Sequence, residues 1–156
     1  MKVNRAASIN YTMDEEGGWN PNDPSNCGIT LAMYRWCCKE LKLPEPTIFD
    51  VQKLTHDQIV AFYNWLCDKI GFDDLPAGVD YCALDAATNE GIGGMNSILL
   101  LTHVLTDDKA RIQAFSDIRL AVKKLRPEWG KYGAGWGGRI GTRVPQRALE
   151  MVDGHG

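Results

Sequence analysis

The chain has 156 residues, of which 44% are hydrophobic and 24% charged, and its net charge is −3. These values are typical of an ordinary globular protein with one core. The longest apolar run lies around Ile98–Leu101 and is far shorter than the roughly 18–20 residues of a membrane-spanning helix. The first residues lack the apolar stretch of a signal peptide, so we expect a protein made without one.

The spacing of apolar residues predicts an all-α or α-dominant fold. A first helix is expected at about 4–15, followed by a short irregular β-hairpin within Trp19–Ile29, where Asn, Pro, Asp and Ser crowd together. The next helix is expected at about 30–42. The tetrapeptide THDQ at 55–58 then has the form of a capping box. The amphipathic helix that it begins is expected to end at Gly71.

The second half of the chain continues the helical pattern. An apolar stripe from Ile112 to Leu125 predicts a helix that ends before Pro127. Pro145 falls inside the last expected helix and predicts a kink or a break there. The remaining helices of this half are expected at about 78–89, 93–105 and 137–152.

A glycine-rich segment, GAGWGG at 133–138, matches the dinucleotide-binding pattern G-x-G-x-x-G letter by letter. That fingerprint requires a preceding strand and a βαβ unit, whereas this segment follows a predicted helix. We therefore interpret it as a turn in which Trp136 packs against another part of the protein.

Charge is distributed unevenly along the chain. Residues 1–108 carry 7 Lys or Arg against 16 Asp or Glu, while residues 109–147 carry 10 against 2. The basic segment suggests contact with a polyanion, either nucleic acid or an anionic wall polymer. A solvated helix face is the equally open alternative.

The cysteines and histidines indicate neither a metal site nor a disulfide framework. Five cysteines occur at irregular spacings without a C-x-x-C pair or a nearby histidine. Free thiols, several of them buried, suit a reducing compartment. We expect no bound metal and no cofactor.

The stretch MDEEGGWNPNDPSNCGIT at 13–30 contains the strongest candidate for chemistry. A helix that ends at the Gly17-Gly18 pair places Glu16 at its negative end, and Trp19 would partly desolvate the carboxylate. Both effects favour the protonated form that a general acid needs. Asp23 lies across the loop and can face back, giving the two carboxylates of glycoside hydrolysis. The alternative is a helix end followed by an ordinary loop.

Three segments carry a resemblance to a known family. EGGW-x-x-ND-P…GIT resembles the signature of the glycoside hydrolase family 108 lysozymes, N-acetylmuramidases common in phages, which reads roughly E-G-G-Y…D-P-G-G-x-T-x-x-G-I-T. The family's D-x-x-x-N-x-G pattern is matched by Asp85, Asn89 and Gly91. LRPEWGKYGAGWGGRI is similar to the family's C-terminal R…W…GW-x-x-R-V segment. The likeness covers about 5–145 and is weakest between 95 and 120.

The resemblance implies catalytic roles for three residues. Glu16 matches the catalytic glutamate, which donates a proton to the glycosidic oxygen, and Asp23 takes the position of the aspartate that helps to orient water and substrate. The loop is shorter than in the family and lacks G-G-x-T, so Ser25 is the nearest hydroxyl to the family's threonine. This departure falls in the part of the loop that contains Asp23 and Ser25, while the E-G-G segment with Glu16 matches the family.

Five further residues are candidates for substrate binding. Asp85 and Asn89 share one helix face, where they either line the saccharide cleft or cap and bridge to another helix. Trp19, Tyr63 and Trp136 are candidates for contact with sugar rings, although Tyr63 also fits the core.

These features together predict a lysozyme-like domain over 1–156, with a catalytic portion at 1–92 and a basic helical portion at 93–156. The expected function is hydrolysis of the β-1,4 bond between N-acetylmuramic acid and N-acetylglucosamine in peptidoglycan, by a phage endolysin or virion lysozyme. The expected partner is peptidoglycan, with no nucleic acid and no stable membrane insertion. We expect a monomer made in the host cytoplasm that acts on periplasmic peptidoglycan, either released with the help of a holin or carried in a virion. The alternative is a non-catalytic protein that binds cell wall or polyanions on the same scaffold.

Overall fold

The computed structural model of the protein describes residues 2–154 and is dominated by α-helices, as the sequence predicts. The α-helices are α1 (Lys2–Glu16), α2 (Leu31–Glu40), α3 (Ile48–Gln52), α4 (His56–Lys69), α5 (Val79–Thr102), α6 (Asp108–Lys124), α7 (Trp129–Gly138) and α8 (Val144–Asp153). A short 3₁₀ turn spans Phe72–Asp74, and a π-helical segment, Arg139–Arg143, joins α7 to α8.

Side-chain caps define where several helices begin. The hydroxyl of Thr55 accepts a hydrogen bond from the N–H of Gln58 at 3.3 Å, and the Gln58 side chain accepts one from the N–H of Thr55 at 2.9 Å. This is the capping box predicted for α4, and it satisfies two helix-end donors at once. An analogous pair, Thr47 and Asp50, begins α3, a helix that the apolar pattern did not predict.

The expected hairpin is a small three-stranded antiparallel sheet. Its strands are β1 (Trp19–Asn20), β2 (Ser25–Asn26) and β3 (Ile29–Thr30), in that spatial order. Cys27 and Gly28 form the turn between β2 and β3, with φ of 48° and 73°. Two left-handed residues in succession are typical of a tight hairpin turn.

Two buried side chains attach this sheet to the helices. The hydroxyl of Tyr63 on α4 donates a hydrogen bond to the carbonyl of Cys27 at 2.6 Å. The amide of Asn26 donates to the carbonyls of Val51 and Gln52 at 3.0 and 3.1 Å. These bonds position the turn that contains Gly28.

The hydrophobic core lies where α4 and α5 meet α1, α6 and α8. Its central aromatic residues are Tyr63, Phe72, Tyr81 and Phe115, all essentially inaccessible to water. Met95 and Ile112 complete the core where α5 packs against α6. Because α5 is buried along most of its first half, any charged side chain on that half must find its partners inside the protein.

The two helices predicted at 78–89 and 93–105 are one helical run, α5, interrupted at a single residue. Gly91 has φ 76° and ψ 166°, outside the helical region, a conformation that glycine adopts without steric cost. The predicted boundary between the helices is therefore an internal kink.

The interpretation of the glycine-rich segment as a turn is wrong, because residues 133–138 belong to α7. Trp129, Tyr132 and Trp136 recur at helical spacing and pack together, with ring centroids 6.2 and 5.7 Å from Trp136. A side chain at Gly133 would come within 2.7 Å of the Trp129 ring. Gly133 therefore allows the Trp129 ring to pack closely against the helix.

The chain does not break at Pro145, since it remains helical from α7 through the π-helical segment into α8. Pro145 is the second residue of α8, and the π-helical segment ends two residues before it. The proline thus follows a change of helix type at residues 139–143.

Within residues 2–154 there is no helix of the length and apolarity that crossing a lipid bilayer requires. The same part of the chain brings together no trio of His, Cys, Asp or Glu side chains suited to hold a metal ion. All five cysteines are free thiols, four of them buried.

Candidate active site

Glu16 is the last residue of α1, as the glycine pair predicts. Gly17 follows with φ 70°, and its N–H donates to the carbonyl of Met13 at 3.1 Å, which ends the helix in a left-handed residue. The chain then enters β1. The Glu16 carboxylate is thus presented where the helix meets the small sheet, with its side chain 15% exposed.

Glu16 lies in a charged environment rather than in an apolar pocket. One guanidinium nitrogen of Arg139 donates to Glu16 Oε1 at 2.5 Å, and the Asn89 amide donates to the same oxygen at 3.3 Å. Both donors come from far along the chain, one from the start of the π-helical segment and the other from α5. Desolvation by Trp19 is therefore not the main feature of this carboxylate.

Gly28 lies directly against the Glu16 side chain. A Cβ at position 28 would come within 2.8 Å of the Glu16 Cδ and 2.9 Å of Oε2, far inside van der Waals contact. Only glycine allows both this approach and the positive φ of the turn. The glycine of the G-I-T segment is therefore part of the geometry around Glu16.

Arg139 is held by a second carboxylate, Asp85, which is completely buried. Arg139 donates to Asp85 Oδ1 from two nitrogens at 2.7 and 3.1 Å, and Arg119 donates to Oδ2 at 2.8 Å. Burial alone would raise the pKa of Asp85, but the charges of Arg119 and Arg139 lower it on balance. Burial likewise works against the charge of Arg139, but Asp85 and Glu16 raise its pKa, so the guanidinium stays protonated.

The ion pairs continue beyond Arg119. Arg119 also donates to Glu90 Oε2 at 2.9 Å, and Lys123 lies 3.2 Å from Glu90 Oε1. Every one of these side chains is at most 9% exposed. A chain of alternating charges therefore runs from α6 through α5 to Arg139 and ends at Glu16.

Glu15 has separate arginine partners and does not join this chain. Arg143 donates to both of its carboxylate oxygens at 2.7–3.1 Å, and Arg147 donates at 3.1 Å. The hydrogen bond from Arg143 is the main cause of a lowered Glu15 pKa. The two adjacent glutamates thus have different environments, and Glu15 ties α1 to the start of α8.

Asp23 and Ser25 lie on the sheet side of the site. Asp23 is exposed in the turn between β1 and β2, where its N–H donates to Asn20 Oδ1 at 3.4 Å. Ser25 is half-buried in β2, opposite Thr30. Among the described residues no hydrogen bond joins either side chain to Glu16. Trp19, opposite Asn26 in β1, packs with its half-buried ring against the core.

The remaining candidates for substrate binding occupy different places. Asn89 is in direct contact with Glu16. Asp85 cannot touch a saccharide, because none of its surface is exposed and both oxygens bind arginines. The contacts of Asp85 match the alternative in which it bridges to another helix. Tyr63 is likewise completely buried and cannot stack on a sugar. Trp136 is half-buried on α7, beneath the ammonium of Lys123 at 4.8 Å.

Comparison with known proteins identifies the family of the chain. The sequence profile of the family described as glycosyl hydrolase 108 matches residues 9–91, more than half of the chain. The chain belongs to the glycosyl hydrolase 108 family. It is a glycoside hydrolase of the lysozyme type, and family membership implies peptidoglycan as its substrate.

A solved structure is similar over nearly the whole length of this family 108 hydrolase. The structure of SagA from Brucella abortus matches with a TM-score of 0.82 and 27% sequence identity, covering 97% of each chain. The lysozyme-like fold therefore extends beyond the 9–91 region. No curated protein matches the chain.

The sequence does not identify Arg139 and Gly28 as neighbours of Glu16. Arg139 lies in the basic segment that suggests contact with a polyanion, and Gly28 lies in the G-I-T segment of the family resemblance. One signal was present in the sequence: the acidic first part of the chain and the basic segment 109–147 have complementary charge. In the structure, several of these opposite charges form ion pairs with one another inside the protein.

Proposed function

We propose that this family 108 hydrolase is an N-acetylmuramidase that cleaves the β-1,4 bond between N-acetylmuramic acid and N-acetylglucosamine. The observation that carries the proposal is the position of Glu16: a partly exposed carboxylate at a helix end, held by two donors and packed against a glycine that leaves room for its side chain. Lysozyme-type hydrolysis requires one such proton donor beside the scissile bond.

In the proposed reaction Glu16 donates its proton to the glycosidic oxygen as the bond to the sugar's anomeric carbon breaks. Asp23, in the exposed turn between β1 and β2, holds water or stabilises the oxocarbenium-like transition state, and Ser25 assists through its hydroxyl. Trp19, Asn89 and Trp136 contact the saccharide. Asp85 and Tyr63 have no part in substrate contact, because both are completely buried.

Glu16→Gln tests the proposal most directly. Glutamine keeps the size and hydrogen-bonding capacity of the side chain but cannot donate the proton, so we expect lysis of permeabilised Gram-negative cells to slow by at least about 10²–10⁴-fold. An unchanged melting transition must show that the variant is folded. Full activity in Glu16→Gln would make the acid mechanism wrong, and an inactive wild type that still binds peptidoglycan would favour the non-catalytic alternative.

The bond that is cleaved can be identified from the products. Digested peptidoglycan is treated with borohydride, which reduces only sugars with a free reducing end. A muramidase creates that end on N-acetylmuramic acid, so the reduced sugar should be muramitol. Reduced glucosamine as the main product would contradict the proposed bond specificity.

We further propose that the protein serves as a phage endolysin or virion lysozyme. Under this proposal, expression in the cytoplasm of a Gram-negative cell leaves the cell intact until a membrane-permeabilising protein such as a holin is co-expressed. Lysis without that second protein would count against the proposed release route.

A further inference from the structure

We infer that Arg139 is the positioning residue of the active site: it holds Glu16 by Oε1 so that Oε2 is the oxygen that donates the proton. The inference rests on the proposed role of Glu16 as the general acid. It assigns to Arg139 a function in the reaction rather than in contact with a polyanion.

The hydrogen bonds of the carboxylate distinguish its two oxygens. Oε1 accepts from both Arg139 and Asn89, at 2.5 and 3.3 Å. No donor among the described residues binds Oε2, which instead faces Gly28. An oxygen that already accepts two N–H bonds is poorly placed to bear a proton as well, so Oε2 is the oxygen left to carry the proton that Glu16 donates, on the side away from Arg139.

Arg139 can orient Glu16 because it is itself immobilised. Three of the contacts described above fix its position: two N–H bonds to Asp85 Oδ1, and the bond from Arg119 that holds the other Asp85 oxygen. Arg139 also begins the π-helical segment. Such segments occur frequently at functional sites, and this one holds both Arg139, which binds Glu16, and Arg143, which binds Glu15.

The charge of Arg139 acts at the moment of proton transfer. The O–H bond at Glu16 Oε2 breaks, a new O–H bond forms on the glycosidic oxygen, and that oxygen keeps the electron pair of its broken bond to the anomeric carbon. Glu16 becomes a carboxylate while the sugar gains positive charge. Arg139 is already in place to stabilise that carboxylate, as a preorganised charge should be.

Arg139→Ala, assayed on soluble uncross-linked peptidoglycan strands, tests the inference. We expect kcat to fall about 100-fold, the typical consequence of a misplaced catalytic group, with KM changed only a few-fold. Guanidinium ion, at concentrations far below those that unfold the protein, should restore at least a tenth of the lost kcat. Sodium at equal ionic strength should not. Arg139→Lys should lie between alanine and wild type, because an ammonium cannot bind both carboxylates with the geometry of the planar guanidinium.

Arg143→Ala is the matched control, because it removes an arginine from the same π-helical segment but one that binds Glu15. It should lower the melting temperature and leave kcat nearly unchanged. The inference is overturned if Arg139→Ala keeps the wild-type kcat. It is also overturned if kcat falls together with a comparably large change in KM and guanidinium does not restore kcat. If Arg139→Ala does not fold, a wild-type kcat in Arg139→Lys overturns it. Glu16→Gln distinguishes failure of this inference from failure of the proposed role of Glu16. If Glu16 is the general acid, this variant should be inactive with Arg139 present, and guanidinium should not restore its activity.

Discussion

Gly28 links the backbone of the small sheet to the chemistry of Glu16. Its φ of 73° and its approach to the carboxylate impose two independent requirements for glycine. Gly17 shares the first requirement, with φ 70°, but nothing lies within 4 Å of a Cβ built there. Substitutions at Gly17 and Gly28 therefore separate the effect of backbone strain from the effect of displacing Glu16.

We predict that Gly28→Ala and Gly17→Ala each destabilise the protein by roughly 1–2 kcal/mol, the cost of a left-handed alanine. Only Gly28→Ala should also abolish most activity, by about 100-fold, because its methyl group displaces the Glu16 side chain. Urea unfolding measures the first effect and the initial rate of wall lysis the second. Equal activity in the two variants would show that displacing Glu16 has no consequence.

The two loop residues proposed to assist catalysis should be ranked by substitution. Asp23→Asn removes a charge from an exposed turn that makes no hydrogen bond to Glu16 among the described residues, so its loss of lysis rate should be smaller than that of Glu16→Gln. Ser25→Ala should have the mildest effect. Both variants should keep the wild-type melting temperature. A larger loss in Ser25→Ala than in Asp23→Asn would assign the assisting role to the hydroxyl.

At the level of elements, the junction between α1 and α8 depends on Glu15. Its side chain is 6% exposed, whereas Arg143 and Arg147 are 49% and 26% exposed. Because the arginines can turn towards water, the loss of Glu15 should cost only about 1 kcal/mol. The bond from Arg143 lowers the Glu15 pKa. The pairs therefore stabilise the protein above the ordinary value of 4.5, and this stability is lost as the pH falls below it.

We predict that Glu15→Gln lowers the melting temperature at neutral pH and keeps the lysis rate within a few-fold of wild type. On acidification below about pH 4.5, the difference in melting temperature between the two proteins should shrink, because the wild type loses the same ion pairs by protonation. Differential scanning calorimetry at several pH values measures both. A gap that widens towards low pH would contradict this assignment.

At the scale of the whole molecule, the basic segment 109–147 proves to be largely an internal partner for the acidic first part. Arg119, Lys123 and Arg139 are buried and form ion pairs with Asp85, Glu90 and the partly exposed Glu16. Lys109 pairs with Asp153 at the surface. The exposed cations of the α6–α7 junction are Lys124, Arg126 and Lys131. The net charge of +8 in this segment is therefore much larger than the positive charge that is exposed to a polyanion.

We predict that cell-wall lysis slows only modestly as ionic strength rises, since a few exposed charges are screened over about 10 Å at 0.1 M salt. Replacing Lys124, Arg126 and Lys131 by glutamine should remove most of this salt dependence. The hydrolysis of soluble uncharged oligosaccharide, if it is a substrate, should depend little on salt for either protein. An unchanged salt dependence in the triple variant would place wall contact elsewhere.

Local signals in the sequence were sufficient for most of the helices. The capping box at Thr55, the glycines after Glu16 and the apolar stripe of α6 each act within a few residues, so sequence spacing alone reports them. The misread element was α7. Its glycines suggested a turn, but Trp129 packs over Gly133, and the packing of an aromatic face outweighs the low helix propensity of glycine.

By itself the sequence determined the fold class, the end of α1 at Glu16 and, through three matching segments, the family. Only the tertiary structure decided what surrounds that glutamate. Arg139 lies 123 residues away along the chain and Asn89 lies 73 away, separations at which residue spacing carries no information about contact. The assignment of Asp85 to bridging rather than to the cleft depended on burial in the same way. The packing of α5, α6 and the π-helical segment decides which carboxylates bind arginines inside the protein, because burial forces each buried charge to find an opposite charge.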